Sequence, residues 1–374
     1  MKGWTSQGED VMTQPLIPSR LPSDAGRARP CPWLRVHGRA GSQSQPNTDG
    51  PSSSWLARIT KFLVSIFLVL AGCSDERTTP LMVGTNIWPG YEPLYLAQAQ
   101  GLYSDRDIRL VQHPSASEVI RAFRNGAIPV AAVTLDEALL MLADGMQIKV
   151  ILVIDSSAGG DVILGRPPII KMEDLRGKHV GCEASALGAF VLCRAAELHG
   201  LDCHKDMSVV DLEVDEHETA FSNGAIDAVV TFEPIRTRLL ASGAKLLFDS
   251  REIPNEIIDV LVVRPEVIRD RKLQLKKLLD GWFRALAYMD AHPVEAAAIM
   301  GPREQLSGQQ FTAALSGLKI LKRADNLIML RGPQPRIAQA AAKLASFMEQ
   351  RGLLPNPVSL SGFVSSGLVE ESAP

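Results

Sequence analysis

Aromatic and amide side chains follow the first predicted strand, Leu81–Thr85, in a loop that reads Asn86-Ile87-Trp88-Pro89-Gly90-Tyr91. Indole and phenol rings beside a Pro-Gly turn can stack on a small ligand, and an amide can orient that ligand by hydrogen bonds. Burial of the two rings in the hydrophobic core is an equally good interpretation of the same pattern. Asn86, Trp88 and Tyr91 are therefore candidate ligand-binding residues.

An internal similarity provides a second set of candidates. Phe123-Arg124-Asn125-Gly126-Ala127-Ile128 is matched later by Phe221-Ser222-Asn223-Gly224-Ala225-Ile226. Each copy is followed by an apolar strand and then by a Thr-x-acid corner, Thr134-Leu135-Asp136 or Thr231-Phe232-Glu233. Ligands of open α/β sheets bind outside the carboxyl ends of the strands. Unless the likeness is due to chance, two facing lobes would place Thr134, Asp136, Thr231 and Glu233 at one cleft.

The loops at the predicted strand ends are rich in acids and contain no Lys or Arg before Arg236. We expect most of these acids to be solvated or to cap helices, with Asp136 and Glu233 facing the cleft. A bound oxyanion would be expected to recruit Arg. The hypothesis is that the ligand is neutral or carries an amine. The acids are Glu92, Glu118, Asp136, Glu137, Asp161, Glu183, Asp215, Glu216, Glu218 and Glu233.

Catalytic, metal and cofactor motifs give no comparable signal. The sequence lacks a Gly-x-Ser-x-Gly elbow, a phosphate-binding loop and a His-Glu-x-x-His pair, so we predict no catalytic residue, no metal and no cofactor. His217 is interpreted as part of a solvated helix start rather than as a ligand or base. A net charge of −3 argues against nucleic acid as a partner.

The predicted elements alternate between strand and helix, which indicates an α/β fold with parallel strands and crossover helices. Ser115-x-x-Glu118 and Thr134-x-x-Glu137 are capping boxes, and Ser185 can cap a third helix whose N–H groups could alternatively bind an anion. The predicted strands are Leu81–Thr85, Val130–Val133, Lys149–Ile154, His179–Cys182, Ser208–Leu212 and Ile226–Thr231. The predicted later helices are Glu216–Ser222, Leu273–His292, Ser307–Leu321 and Pro335–Arg351.

The N-terminal region has the pattern of a bacterial lipoprotein signal. Basic residues precede an apolar run from Phe62 to Ala71, which is too short to span a bilayer and ends in Leu70-Ala71-Gly72-Cys73. This tetrapeptide matches a lipobox and predicts lipidation of Cys73. Residues 55–72 are then the signal peptide, and 73–80 are a tether. We interpret residues 1–54 as disordered or as an extension upstream of the true start.

Three cysteines follow the predicted lipidation site: Cys182, Cys193 and Cys203. An oxidising compartment permits one bridge, for example Cys193–Cys203. Their spacing fits no zinc pattern, and buried free thiols are the favoured interpretation.

The sequence resembles the substrate-binding proteins of ABC importers in the nitrate, sulfonate, taurine and thiamine-precursor group. The resemblance spans nearly all of residues 81–360. The stretches that carry it are Gly84-Thr85-Asn86-Ile87-Trp88-Pro89-Gly90-Tyr91-Glu92-Pro93, Ala97-x-x-x-Gly101-Leu102-Tyr103, Asp174-Leu175-Arg176-Gly177-Lys178-His179-Val180-Gly181, Asn223-Gly224-Ala225-Ile226-Asp227-Ala228 and Trp282-Phe283-Arg284-Ala285.

The resemblance implies a two-lobed type II periplasmic-binding fold with a two-strand hinge. Lobe 1 would comprise residues 81–162 and 265–374, lobe 2 residues 163–264, and the hinge Val162–Arg166 and Asp259–Arg264. The family's ligand positions correspond to Trp88, Tyr91, Ser115, Thr134, Asp136, Ser185 and Glu233. The acidic loops depart from an oxyanion-binding pattern.

The implied function is that of an exported, lipid-anchored, monomeric solute-binding protein that delivers a small amine-bearing, pyrimidine or sulfonate-like solute to an ABC permease. Two alternatives remain open. One is an enzyme on the same fold with thiamine-pyrimidine or chorismate-type chemistry. The other is a ligand sensor for a membrane signalling partner.

Overall fold

A computed structural model describes residues 79–372, which form two β-sheets connected by helices. The predicted extension 1–54, the signal 55–72 and the lipidation site Cys73 lie outside the described residues. Within the described part, no helix combines the length and the apolar character needed to cross a bilayer.

The first sheet contains strands from both ends of the described chain: β1 (Leu81–Thr85), β2 (Ile108–Gln112), β3 (Val130–Thr134), β4 (Lys149–Ser157), β10 (Ile258–Val263) and β11 (Leu318–Ile320). Their order is β11-β4-β10-β3-β1-β2. β1 pairs in parallel with β2 and β3, whereas β10 is antiparallel to β3 and β4. The expectation of parallel strands holds for only half of the sheet, because β10 returns from the second sheet in the opposite direction.

The second sheet contains β5 (Val162–Gly165), β6 (His179–Cys182), β7 (Ser208–Asp211), β8 (Ala228–Thr231) and β9 (Lys245–Asp249) in the order β7-β6-β8-β5-β9. β6 is parallel to β7 and β8, and β5 is antiparallel to β8 and β9. β3 and β8 thus occupy equivalent positions, each between one parallel and one antiparallel neighbour. This confirms that the two similar sequence stretches belong to the same unit of two lobes.

The chain passes between the sheets twice, over residues 158–161 and 250–257. The predicted hinge segments correspond mainly to β5 and β10, the strands that follow these crossings. At the first crossing, the N–H groups of Ala158 and Gly160 donate to the carbonyl oxygen of Gly317 at 2.8 and 3.1 Å. Gly159 between them has a φ of 115°, which favours glycine.

Helices connect the strands and form the C-terminal part of the described chain. Ser115 caps the helix that begins at Ala116, as predicted, because its side chain accepts the N–H of Glu118. The helices are α1 (Glu92–Ala99), α2 (Ala116–Arg124), α3 (Leu135–Ala143), α4 (Leu187–Leu198), α5 (His217–Asn223), α6 (Ile235–Ala241), α7 (Pro265–Asp270), α8 (Lys272–Ala291), α9 (Pro293–Met300), α10 (Gly308–Leu315), α11 (Arg323–Leu330), α12 (Arg336–Gln350) and α13 (Gly367–Glu371).

Three predictions about these elements are wrong. The N-cap of α4 is Ala186 rather than Ser185, because the helix begins one residue later than expected. The predicted helix Ser307–Leu321 ends at Leu315, and the chain then forms the edge strand β11 against β4. The favoured interpretation of free thiols is wrong for Cys193 and Cys203, which form the one permitted bridge because the turn after α4 brings their Cα atoms to 5.0 Å, whereas Cys182 is a buried thiol as expected.

Candidate functional site

A cavity lies between the two sheets, at the carboxyl ends of β1, β3 and β8. Its free volume is about 30 Å³. A solute much larger than a few water molecules can therefore enter only when the lobes move apart. The cavity is lined by Asn86, Trp88, Tyr91, Ala116, Thr134, Glu137, Asp161, Glu183, Leu187, Gly188, Val191, His217, Val230, Thr231, Phe232 and Asp259.

Five of the nine candidate ligand-binding residues line this cavity: Asn86, Trp88, Tyr91, Thr134 and Thr231. All five are buried. The first three lie in the loop after β1, and each threonine ends a strand of a different sheet. The paired Thr corners therefore meet at one cleft, as the internal similarity predicts.

The other four candidates lie outside the cavity lining. Ser115 is buried as the cap of α2. Ser185 is exposed, and its hydroxyl lies 2.8 Å from that of Ser117. Asp136 is buried in the first turn of α3, and burial raises its pKa to about 7.

Glu233 is also buried, but its carboxylate faces its own helix rather than the cavity. Arg236 donates to Glu233 Oε1 at 2.7 Å, and the N–H of Thr237 donates to Glu233 Oε2 at 3.1 Å. This ion pair accounts for the burial of the charge without a ligand.

Several cavity residues were not singled out from the sequence. Glu137, Asp161 and Glu183 belong to the acid-rich loops, but their orientation toward the cleft has no sequence signature. Asp259 lies inside the apolar strand β10, where the sequence predicts a hinge segment and not a ligand-binding residue.

His217 is buried rather than solvated, so that expectation is wrong. Its Nε2 lies 3.3 Å from the carbonyl oxygen of Leu212 and its Nδ1 lies 3.2 Å from the hydroxyl of Thr231. Burial lowers the His217 pKa to about 4. Because a carbonyl can only accept, Nε2 carries the proton and Nδ1 accepts from Thr231.

The aromatic side chains are held by carboxyl groups. Trp88 Nε1–H donates to Asp155 Oδ2 at 3.1 Å, and the Tyr91 hydroxyl donates to Asp259 Oδ1. The Trp88 ring also meets Phe232 of the second lobe edge-to-face, with 5.6 Å between the ring centroids. Trp88 thus joins the two sides of the cleft.

The two carboxyl groups that anchor these rings lie directly opposite each other on β4 and β10. Both Asp155 and Asp259 are buried. Burial, together with the neighbouring charge of Asp161, raises the Asp155 pKa to about 7, and burial and the Asp155 charge raise the Asp259 pKa further. Two like charges at this position would repel each other, so the pair holds a proton at neutral pH.

We call Asp136, Glu137, Asp155, Asp161 and Asp259 the acidic cluster. No Lys or Arg lines the described cavity, and Asp161 Oδ2 and Asp259 Oδ2 are buried without a hydrogen-bond partner among the described residues.

The oxygens of the acidic cluster do not converge. Of the described side chains, the only three with metal-ligand atoms mutually within 4.8 Å are Cys193, Cys203 and His204, away from the cavity. The arrangement is suited to hydrogen-bond donors spread over an organic molecule rather than to one metal ion.

Comparison with known proteins places the chain in a family. The model of the NMT1-like family matches residues 74–301, more than half of the chain. A protein of Haemophilus influenzae described as a putative thiamine biosynthesis protein is 21% identical over 319 residues, which cover 82% of this chain and 98% of that protein.

Two solved structures show the same fold. The alkanesulfonate-binding protein SsuA from Xanthomonas axonopodis pv. citri, bound to MOPS, has a TM-score of 0.67 at 17% identity over 78% of this chain and 99% of its own. The periplasmic aliphatic sulphonate binding protein SsuA from Escherichia coli has a TM-score of 0.63 at 18% identity, over 79% of this chain and all of its own. With its two sheets and the cavity between them, this chain belongs to the NMT1-like family and has the two-lobed α/β fold of type II periplasmic binding proteins.

Proposed function

We propose that this protein is the extracytoplasmic solute-binding component of an ABC importer. Similar structures include a ligand-binding component of an ABC-type import system from Staphylococcus aureus and the SsuA sulfonate-binding proteins. In this proposal the lobes follow the two sheets: residues 81–157 with 258–372 form the first lobe and residues 162–249 the second, so β10 belongs to the first lobe rather than to the predicted segment 163–264. Closure of the lobes around the solute shifts the population toward the form that docks on the permease.

The observation that carries the ligand assignment is a buried cavity lined by carboxyl groups and by no Lys or Arg. Its solute is a small organic molecule with an amine or several N–H donors, such as an amine-bearing pyrimidine. The relative's description as a putative thiamine biosynthesis protein agrees with a pyrimidine, whereas a simple alkanesulfonate would bring an oxyanion and no N–H donor to this cavity. The candidate ligand-binding residues are Asn86, Trp88, Tyr91, Thr134, Asp161, Thr231 and Asp259.

A binding role fits the cavity better than catalysis. The one imidazole that lines it, His217, has both ring nitrogens engaged and a pKa lowered to about 4 by burial, so it is a poor general base at neutral pH.

We also propose that Cys73 anchors the exported protein to the membrane through lipid. Membrane fractionation of a Cys73→Ser chain beside the unchanged chain tests this proposal. Retention of both at the membrane would contradict it.

A thermal-shift screen followed by calorimetry tests the ligand class. The panel contains amines, aminopyrimidines, amino-sulfonates, simple sulfonates and nitrate. A ligand that binds only the folded chain at a hundredfold excess over Kd stabilises it by about 2.7 kcal/mol. We expect stabilisation by amine-bearing compounds, loss of this effect in Asp161→Asn, and its retention in Asp290→Asn, an exposed carboxylate paired with Lys322. Binding of oxyanions alone would contradict the ligand class.

A further inference from the structure

Three helices begin at the cavity between the lobes. α2 follows Ser115, α3 follows Thr134 and α4 follows Ala186. The first N–H groups of a helix lack partners within the helix, and the helix dipole adds positive potential at this end. Helix N-termini are therefore the usual place for an anionic ligand to bind.

Glu183 occupies the N-terminal end of α2 from the opposite lobe. This residue follows β6 of the second sheet, and its Oε1 accepts the N–H of Ser117, in the first turn of α2, at 2.6 Å. The neighbouring hydroxyls of Ser117 and Ser185 meet at 2.8 Å. Both contacts connect the lobes, because α2 precedes β3 of the first sheet whereas Glu183 and Ser185 precede α4.

Glu137 makes the reciprocal contact from the first lobe. Its Oε2 accepts the N–H of Thr134 at 2.9 Å, and this hydrogen bond caps α3, the helix that contains Glu137. Its Oε1 faces the N–H of Leu187, the first residue of α4, at 3.4 Å. One carboxylate thus lies between the N-termini of two helices that belong to different lobes.

The remaining free carboxylate oxygens of the cavity point to the same ligand chemistry. Asp161 Oδ2 and Asp259 Oδ2 lack partners among the described residues, and both side chains are more than nine-tenths buried. Once ionised, Asp161 Oδ2 can receive a hydrogen bond from a ligand and would repel an anion, whereas Asp259 shares a proton with Asp155 at neutral pH. Buried groups of this kind need donors from the molecule that fills the cavity.

We propose that Glu137 and Glu183 set the charge class of the ligand. In the closed form, each carboxylate occupies a helix N-terminus of the opposite lobe, and the two together exclude oxyanions from the positions that would otherwise bind them. This inference rests on the proposed solute-binding function, since it concerns the same cavity.

Glu183→Ala is the decisive variant, because Glu183 does not cap its own helix. It frees the Ser117 N–H and, at pH 8, removes one negative charge from the cavity, since burial raises the Glu183 pKa to about 7. We expect the full-length variant to bind methanesulfonate at least about tenfold more tightly than the unchanged chain in calorimetry, since free N–H groups and the helix dipole stabilise an anion at a helix N-terminus. Glu118→Ala is the matched control. It removes the same charge from the same helix end, but Glu118 pairs with Arg121 and does not line the cavity.

Glu183→Gln provides the second measurement, because its amide oxygen can still accept the Ser117 N–H. We expect this variant to retain the thermal stability of the unchanged chain and to bind methanesulfonate less tightly than Glu183→Ala. An equal gain in Glu118→Ala and Glu183→Ala, or no gain in either, would overturn the inference.

The same titrations separate this inference from the proposed function. If the unchanged chain binds an amine and Glu183→Ala gains no sulfonate affinity, the inference fails and the proposed function stands. If no panel compound binds the unchanged chain while Glu183→Ala gains sulfonate affinity, the charge selection holds and the proposed ligand class fails.

Discussion

Asp161 illustrates the consequence of a carboxyl group buried without a cation. Its backbone N–H donates to the Ser157 hydroxyl at 3.2 Å, while its Oδ2 has no partner in the described part of the chain. Burial raises the Asp161 pKa to about 7. Near neutral pH, a proton and a cationic ligand therefore compete for the same oxygen.

We predict that the affinity for an amine-bearing ligand increases as the pH rises through about 7, and that binding at pH 6.5 releases protons. The reason is that carboxyl groups with raised pKa values must ionise before they pair with a cation. Calorimetry in buffers of different ionisation enthalpy measures the released protons. Asp161→Asn should release fewer protons and weaken binding by about tenfold. Equal affinity at pH 6 and pH 8 would contradict the prediction.

At the scale of secondary-structure elements, Arg166 and Arg264 hold equivalent positions in the two lobes. Each follows a strand that comes after a crossing, β5 or β10. Arg264 donates to the carbonyl oxygen of Phe123 and lies over its ring, 4.6 Å from the centroid. Arg166 donates to the carbonyl oxygen of Phe221 at 2.7 Å and lies 5.6 Å from that ring centroid. Each arginine therefore binds the C-terminal part of the helix that leads into the central strand of its lobe.

We predict that Arg264→Ala and Arg166→Ala each lower the free energy of unfolding by about 1–3 kcal/mol, because each removes a charged hydrogen bond and a cation–π contact. Urea unfolding measures the change. Arg269→Ala is the control, because Arg269 forms an exposed pair with Asp270 and should leave stability almost unchanged. Equal effects of all three substitutions would contradict a specific role for the two arginines.

The order of these elements could be predicted from the sequence more fully than their pairing could. Ser115 and Thr134 begin α2 and α3 because capping boxes are local signals. The antiparallel insertion of β10 is a long-range pairing with no local signal. For the same reason Asp259 was missed, since only its register opposite Asp155 places it at the cavity. The corner residues Asp136 and Glu233 were expected at the cleft, but side-chain direction after a strand depends on partners such as Arg236.

For the whole molecule, the buried carboxyl groups determine how stability varies with pH. Burial raises the pKa values of six groups to about 7, and it also raises those of Asp259 and Glu304 well above their ordinary values. Such groups bind protons in the folded chain at pH values where the unfolded chain has released them. His217 has a pKa lowered to about 4, so this residue alone would make stability increase as the pH rises. It is a single group, whereas the buried carboxyl groups are several. The six groups are Glu92, Asp136, Glu137, Asp155, Asp161 and Glu183.

We therefore predict that the free energy of unfolding falls as the pH rises from about 4.5 to about 7 and is lower at pH 7.5 than at pH 5.5 by at least a few kcal/mol. Urea unfolding of the ligand-free chain at both values measures it. Asp155→Asn should reduce the difference, because an amide at this position removes a proton-binding group and the repulsion of Asp259. Asp290→Asn, at an exposed position, should leave the difference unchanged. Greater stability at pH 7.5 would mean that these carboxyl groups are ionised and stabilised in the folded chain, and the competition between proton and amine would then not occur.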